Sequence, residues 1–432
     1  VWPFSEMRLD LISHIKITTC NQNRIWLPEK LMETADLNTT AIASPGPLEL
    51  APGLVPAVTT PEDYFRNIRY VTLKVTNGCN LKCSYCNVDA DVPSTPRMSI
   101  ETFQRCADLL IENSEFPFLV LEFHGGEPLI MGDEWLTEAV NYAQAKAKQH
   151  GKVVQHPMQT NGTRMTPERL ALLRKLGIHI GFSFDGTPEI NDTFRMAGKQ
   201  VEKTIQMMVE KDESFGLILV LSRSNQARMR EVMDYFQGLG IVDFRVNFLQ
   251  PQGLGNEHDL LTGEEMFEGM RDVFEHMADN NCAVIEADIQ MAVNRYLAGR
   301  DPKPQLSCWE HECQAGRSYV AVNLDGDVHA CGTDMFHHRL GHIESGFPTE
   351  QVSGCLSKLH RKDAWYVRCF ECPAKRICNL SCPTSDHNNL QYREYECDYT
   401  QRLYRHFAEN EDRVRAVQSG LKAKRLDGHL IR

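Results

Sequence analysis

The 432-residue chain has no apolar run of the length that a bilayer-crossing helix needs. Its opening stretch also lacks a basic segment followed by an apolar one. No secretory signal is therefore expected, and a cytoplasmic location is. Basic charge is short as well: 46 Lys and Arg stand against 58 Asp and Glu, a net charge of −12. That balance argues against a nucleic-acid partner held through its phosphates, and the missing apolar run argues against a membrane. Only the C-terminal end runs basic, with Arg413, Arg415, Lys422, Lys424, Arg425 and Arg432. This reads as a solvated terminal helix and tail.

Cysteine is what the chain has in plenty, fifteen in all. In a reducing compartment these are not disulfide material, so metal ligation or catalysis is expected. Cys79, Cys83 and Cys86 crowd together, and nine more run from Cys308 to Cys397, eight of them without Cys355. Cys20, Cys106, Cys282 and Cys355 stand apart and read as ordinary thiols.

Four segments are expected: a leader and linker over 1–65, a barrel over 66–300, a cysteine-dense domain over 301–405 and a basic tail over 406–432. The leader holds one strand-like stretch, Ile15 to Thr19, and a Pro/Gly-rich linker, SPGPLELAPGLVP. From residue 70, β-rich apolar runs alternate with amphipathic helical stretches, the pattern of parallel βαβ units. The strands are expected over 70–76, 118–126, 152–162, 178–186, 215–225 and 242–250. Thr166-Pro167 is a helix start closed by Gly177, and Thr262 with Glu265 makes a capping box. Six units rather than eight predict an α/β partial barrel, open on one side. The motifs NGC, GGEP, TNG and DG sit at the C-terminal ends of the first four strands. In a parallel barrel that face builds the active site.

The first cysteines read C-x3-C-x2-C in TNGCNLKCSYCN. Three thiolates on one loop can hold three irons of a [4Fe–4S] cube and leave the fourth open. A structural zinc site would want a fourth ligand and paired knuckles. This loop resembles the signature of the radical S-adenosylmethionine (SAM) superfamily. There SAM chelates the unique iron, and an electron from the cluster cleaves it to methionine and a 5′-deoxyadenosyl radical. The resemblance extends along the barrel. Gly125-Gly126-Glu127-Pro128 matches the GGEP motif that binds the methionine amino group, where a carboxylate suits an ammonium and glycine allows close approach. It also implies Tyr85 near adenine, and Gln159, Ser183 and Asp185 toward ribose or carboxylate. Leu249 would pack on adenine, and Arg195 would pair with a carboxylate or form a surface salt bridge. His124, before GGEP, reads as a supporting residue, and His337, His338 and His342 as a solvated loop.

Beyond residue 300 the βα pattern is expected to stop. Cys313-x12-Gly326-x4-Cys331, Cys369-x2-Cys372-x5-Cys378-x3-Cys382 and Cys397 resemble the SPASM extension of peptide- and protein-maturing radical SAM enzymes. The resemblance implies two auxiliary [4Fe–4S] clusters, for three in total. Cys308, Cys313, Cys331 and Cys382 would hold the first auxiliary cluster; Cys369, Cys372, Cys378 and Cys397 would hold the second. Two zinc sites are the competing reading of these pairs.

Together these features predict an oxidoreductase that abstracts a hydrogen atom from a ribosomally made peptide. The product would be a thioether, ether or carbon–carbon crosslink, with an auxiliary cluster as electron sink. A flavodoxin or ferredoxin is implied as electron donor. The main alternative is an anaerobic sulfatase-maturing enzyme making formylglycine from Cys or Ser. Such enzymes place an aspartate base directly after the cysteine equivalent to Cys331, where this chain has Gly332; Asp334 is the candidate base left. Peptide epimerisation is a third reading. A non-enzymatic iron–sulfur carrier is the fourth, and it would need no SAM pocket.

Overall fold

In the computed structural model, residues 58–88, 90, 96–255, 259–298, 313–333, 337–360, 369, 371–378, 382 and 390–426 are described. The leader's strand and linker, Cys308 and Asp334 lie outside them. The described chain opens with β1 (Val58–Thr59) and α1 (Pro61–Phe65). The first barrel units are β2 (Tyr70–Thr76), α2 (Ile100–Asn113), β3 (Phe118–Gly125) and α3 (Asp133–Gln149). Next come β4 (Val153–Thr160), α4 (Pro167–Lys175), β5 (Ile178–Ser183), α5 (Pro188–Phe194) and α6 (Gly198–Glu210). β6 (Gly216–Leu221), α7 (Met229–Gly238), β7 (Asp243–Phe248) and α8 (Gly263–Asp279) complete six parallel strands paired in chain order. The expected partial barrel is the one observed. Its helix starts are as read: Thr166 accepts from the Arg169 amide, and Thr262 and Glu265 close a reciprocal capping box.

The sheet does not stop at six strands. A short β8 (Ile285–Glu286) adds to β7 in parallel and leads into α9 (Ala287–Ala298). At the other edge β9 (Tyr319–Val322), from the cysteine-dense region, pairs in parallel with β2 and sets Tyr319 opposite Tyr70. β10 (Asp327–His329) and β11 (Arg339–His342) extend that edge antiparallel, giving ten strands in the order β11-β10-β9-β2-β3-β4-β5-β6-β7-β8. β12 (Phe347–Pro348) returns to pair with β1 and leads into α10 (Thr349–His360). The cysteine-dense region thus continues the barrel's own sheet.

Side-chain alternation gives each strand two faces. Val71, Leu73 and Val75 of β2 and Leu119, Leu121 and Phe123 of β3 join a core with Phe103 and Leu110 of α2 and Leu136 of α3. Thr72, Lys74, Glu122 and His124 therefore face the barrel lumen. On the far side α11 (Leu390–Glu409) and α12 (Glu411–Leu426) lie against α8. The basic tail expected from residue 406 is helical as far as Leu426. Its Val414, Val417 and Leu421 bury in the core that holds Phe274 and Met277 of α8. Among the described residues no helix is long and apolar enough to cross a membrane.

Candidate active site

β2 ends in the loop that carries Cys79, Cys83 and Cys86, and four neighbouring loops grip it. The Glu127 amide donates to the Gly78 carbonyl at 2.8 Å, and the Gly126 amide to that of Thr76 at 2.8 Å. Gly126 lies so close that a Cβ there would meet the Gly78 oxygen at 2.1 Å, so only glycine fits. At the end of α5, the Phe194 carbonyl accepts from the Ser84 amide at 2.9 Å. After β7, Leu254 donates to the Cys86 carbonyl at 2.8 Å, and Gly253 adopts φ +60° in a place where a Cβ would meet that oxygen at 2.4 Å. The side-chain Nδ2 of Asn161 in the TNG turn reaches the Cys79 sulfur at 3.7 Å. Asn161 and Gly253 were not among the expected site residues. TNG reads as a turn in sequence, and a glycine's partner across the barrel mouth leaves no local signal.

Burial pushes the Cys79 and Cys83 thiols up, Cys83 to about 11, and neighbouring thiolate charge adds to the rise at both. Among the described residues no three Cys, His, Asp or Glu side chains converge as a single bound ion requires. A cube asks for less convergence, since each cysteine takes its own iron. Three thiols on one short loop fit that donor set. A cluster held there would supply the electron for SAM cleavage. Cys79, Cys83 and Cys86 would be its ligands.

The expected SAM residues gather at this mouth, but several are engaged with one another. The Glu127 carboxylate is fully enclosed and accepts from Thr160 Oγ1 at 2.7 Å, the Asn161 amide at 2.7 Å and the Leu129 amide at 3.0 Å. It holds the TNG turn against the GGEP turn. A carboxylate offers about four acceptor positions, so the free ammonium partner expected of it has little left. Burial raises its pKa against those donors. The Tyr85 hydroxyl bonds to the Asp185 carboxylate and to Arg195 Nε, while Arg195 and Asp185 form an ion pair at 3.2 Å. Asp185 also accepts from the Val220 amide at 2.9 Å. Burial opposes the charge on Arg195, yet Tyr85 and Asp185 outweigh it and push its pKa upward. The triad so formed braces the cluster loop, whose Cys83 thiol lies 3.7 Å from the Arg195 carbonyl. Gln159 Nε2 donates to Ser183 Oγ at 2.6 Å, and Leu249 is buried in the core beside Tyr85. Burial holds His124 neutral, with its pKa down to about 4, and its Nδ1 accepts from the Gly125 amide.

Three buried acceptors at the strand ends have no hydrogen-bond partner among the described residues: Asn77 Oδ1 after β2, Gln159 Oε1 on β4 and Gln250 Oε1 after β7. Orphaned buried acceptors ask for a donor. SAM brings an ammonium, two ribose hydroxyls and an adenine amine, so this mouth fits it.

At the other end of β2, Cys331 lies buried and takes the Thr333 amide on its sulfur at 3.4 Å. The chain after Cys313 is tied to it where Gly316 donates to Ala330 at 3.0 Å. Cys369, Cys372 and Cys378 share one turn. Cys397 sits on α11, and its neighbour Glu396 accepts from the Cys382 amide at 3.3 Å. Of the histidine group expected as a solvated loop, His338 is buried and His342 accepts from the Glu344 amide.

A sulfur-rich loop, a glycine-lined turn and orphaned acceptors on one barrel face define a class. Residues 73–236 match the model of the radical SAM superfamily, and the chain is similar to enzymes of that superfamily that carry a SPASM-like C-terminal region. It is 28% identical over 346 residues to the antilisterial bacteriocin subtilosin biosynthesis protein AlbA of Bacillus subtilis, covering 76% of this chain and 70% of that one. The AdoMet-dependent heme synthase of Methanosarcina barkeri is 27% identical over 72% of this chain and 90% of its own. Serine- and cysteine-type anaerobic sulfatase-maturating enzymes match at 23–24% identity. The solved structure of native anSMEcpe with bound AdoMet and a Cp18Cys peptide superimposes with a TM-score of 0.68 at 19% identity, over 82% of this chain and 99% of that one.

Proposed function

We propose that this enzyme oxidises a side chain of a peptide or protein by two electrons, using SAM held at the Cys79–Cys86 loop. The observation that carries the reading is the path of β2. One strand and one polar lumen face run from the Cys331 region to the first cysteine loop. A substrate carbon inside that lumen would stand between a radical source and an electron sink. Two auxiliary clusters on the second cysteine set would supply the sink.

Within this class, formylglycine formation from Ser or Cys ranks first. The sulfatase-maturating relatives and the anSMEcpe fold, matched over 99% of its length, support it ahead of the crosslink expected from sequence. Crosslinking is the second reading, favoured by the AlbA match and by the absence of an aspartate at position 332. The test is anaerobic incubation with SAM, a low-potential reductant and Ser- or Cys-containing peptides, followed by intact mass and hydrazide trapping. A Ser peptide that loses two hydrogens and gains a hydrazone carries an aldehyde. Loss of two hydrogens without trapping would overturn formylglycine in favour of a crosslink. Unchanged mass for all peptides, with SAM consumed, would overturn both.

A further inference from the structure

Resting on that reading, we propose that Glu122 is the base that takes the proton from the substrate group being oxidised, with Thr72 and Tyr319 as its positioning residues. Glu122 lies on the lumen face of β3, opposite Thr72 in the β2–β3 register. Thr72 Oγ1 donates to its carboxylate at 2.6 Å. That spends the only hydroxyl proton of Thr72, so the 3.0 Å contact between Thr72 and Tyr319 must be donated by Tyr319. Tyr319 in turn accepts from the Gly332 amide at 3.2 Å. Every donor in the chain therefore points toward Glu122. An amide cannot accept a proton, so the chain does not conduct one away; it holds the carboxylate in place.

The same chain explains position 332. A Cβ on Gly332 would stand 2.8 Å from the Tyr319 hydroxyl and 3.2 Å from Thr72 Cγ2. The space a side chain would take beside Cys331 is filled by a tyrosine hydroxyl that leads, two bonds on, to a carboxylate. At about 3.3 Å per residue, Glu122 lies roughly 10 Å along β3 from Gly125. It thus stands between the two cysteine sets. Burial raises its pKa to about 7, while hydrogen bonds from Thr72 and Tyr70 work the other way. The titratable and charged groups sharing this lumen face are Tyr70 and Lys74 on β2, His124 on β3, His179 on β5, Asp243 and Arg245 on β7, Tyr319 on β9 and His329 on β10. With two donors on about four acceptor positions, the carboxylate keeps room for a substrate proton.

The balance is simple for an alcohol carbon becoming an aldehyde. One hydrogen leaves as an atom to a SAM-derived acceptor, and one electron leaves to an oxidant of the iron–sulfur class. The O–H proton goes to Glu122.

The test compares wild type with Glu122→Gln, Glu122→Asp and Thr72→Val, measuring SAM consumed per peptide oxidised across pH. The ratio is expected to rise at least tenfold in Glu122→Gln and to recover in part in Glu122→Asp. Wild-type oxidation is expected to rise through about pH 7, and that limb to move upward in Thr72→Val, which loses a donor to the anion. In the protein without cofactors, infrared titration should show protonated carboxyl signal near neutrality from Glu122 beside that of buried Glu286, and Glu122→Gln should remove the Glu122 part alone. A ratio within twofold of wild type and an unchanged pH limb in Glu122→Gln would overturn the assignment of the base alone. A wild type that oxidises no peptide would overturn the peptide reading and the base with it.

Discussion

The barrel mouth and the cysteine-dense extension solve the same problem in opposite ways. At the mouth, the cysteine loop is pinned by four other loops, a buried ion pair and glycines pressed onto carbonyls. In the extension, Cys331 and its surroundings are placed by adding strands to the barrel's sheet and by helices folded back over α8. The mouth depends on close local fit; the extension borrows order from the barrel. The contrast suggests that single changes at the mouth should cost most, and that damage to the extension should be read through its seams.

The largest loss is expected from Asp185→Asn. Arg195 and Asp185 have side chains only 14% and 2% exposed, so removing one charge strands the other. Breaking such a pair costs about 3–5 kcal/mol, measurable by urea denaturation. Leu421→Ala comes next, at about 2–4 kcal/mol for a cavity in a buried seam. Stability unchanged by this substitution would break the claim that α12 is part of the barrel's packing. Gly332→Ala should cost about 1–3 kcal/mol by overpacking against Tyr319 and Thr72. The pairing Gly332→Ala with Tyr319→Phe should recover part of that loss, which sharpens the seam to one contact. The smallest effect belongs to the capping box, where Thr262→Ala should cost about 1 kcal/mol.

Much of the barrel was legible in sequence. Six strands stand where the apolar runs placed them, within a few residues at their ends, because each is a local pattern, and the first four are followed by a glycine-bearing turn. The cysteine loop and GGEP were legible for the same reason. What the sequence hid is non-local. The four residues of β9 carry no sign that their partner is β2, some 250 residues earlier. Nor could the sequence tell that Tyr85, Asp185 and Arg195 would bond to one another, or that Glu127 would be spent on a neighbouring turn. Here a resemblance names residues that the fold gathers at one mouth and leaves their partners open. The helix at 411–426 was partly legible: Val414, Val417 and Leu421 fall on one face, a signal outweighed by the basic residues around them.

The central claim is that one lumen joins the two cysteine sets around a peptide substrate. Its most direct test is a Cys331→Ala variant, incubated with SAM, reductant and a peptide that wild type oxidises, with peptide mass and 5′-deoxyadenosine followed together. The account predicts that 5′-deoxyadenosine accumulates while the peptide keeps its starting mass, because the electron sink is lost. Peptide oxidised at the wild-type ratio to SAM consumed would contradict it.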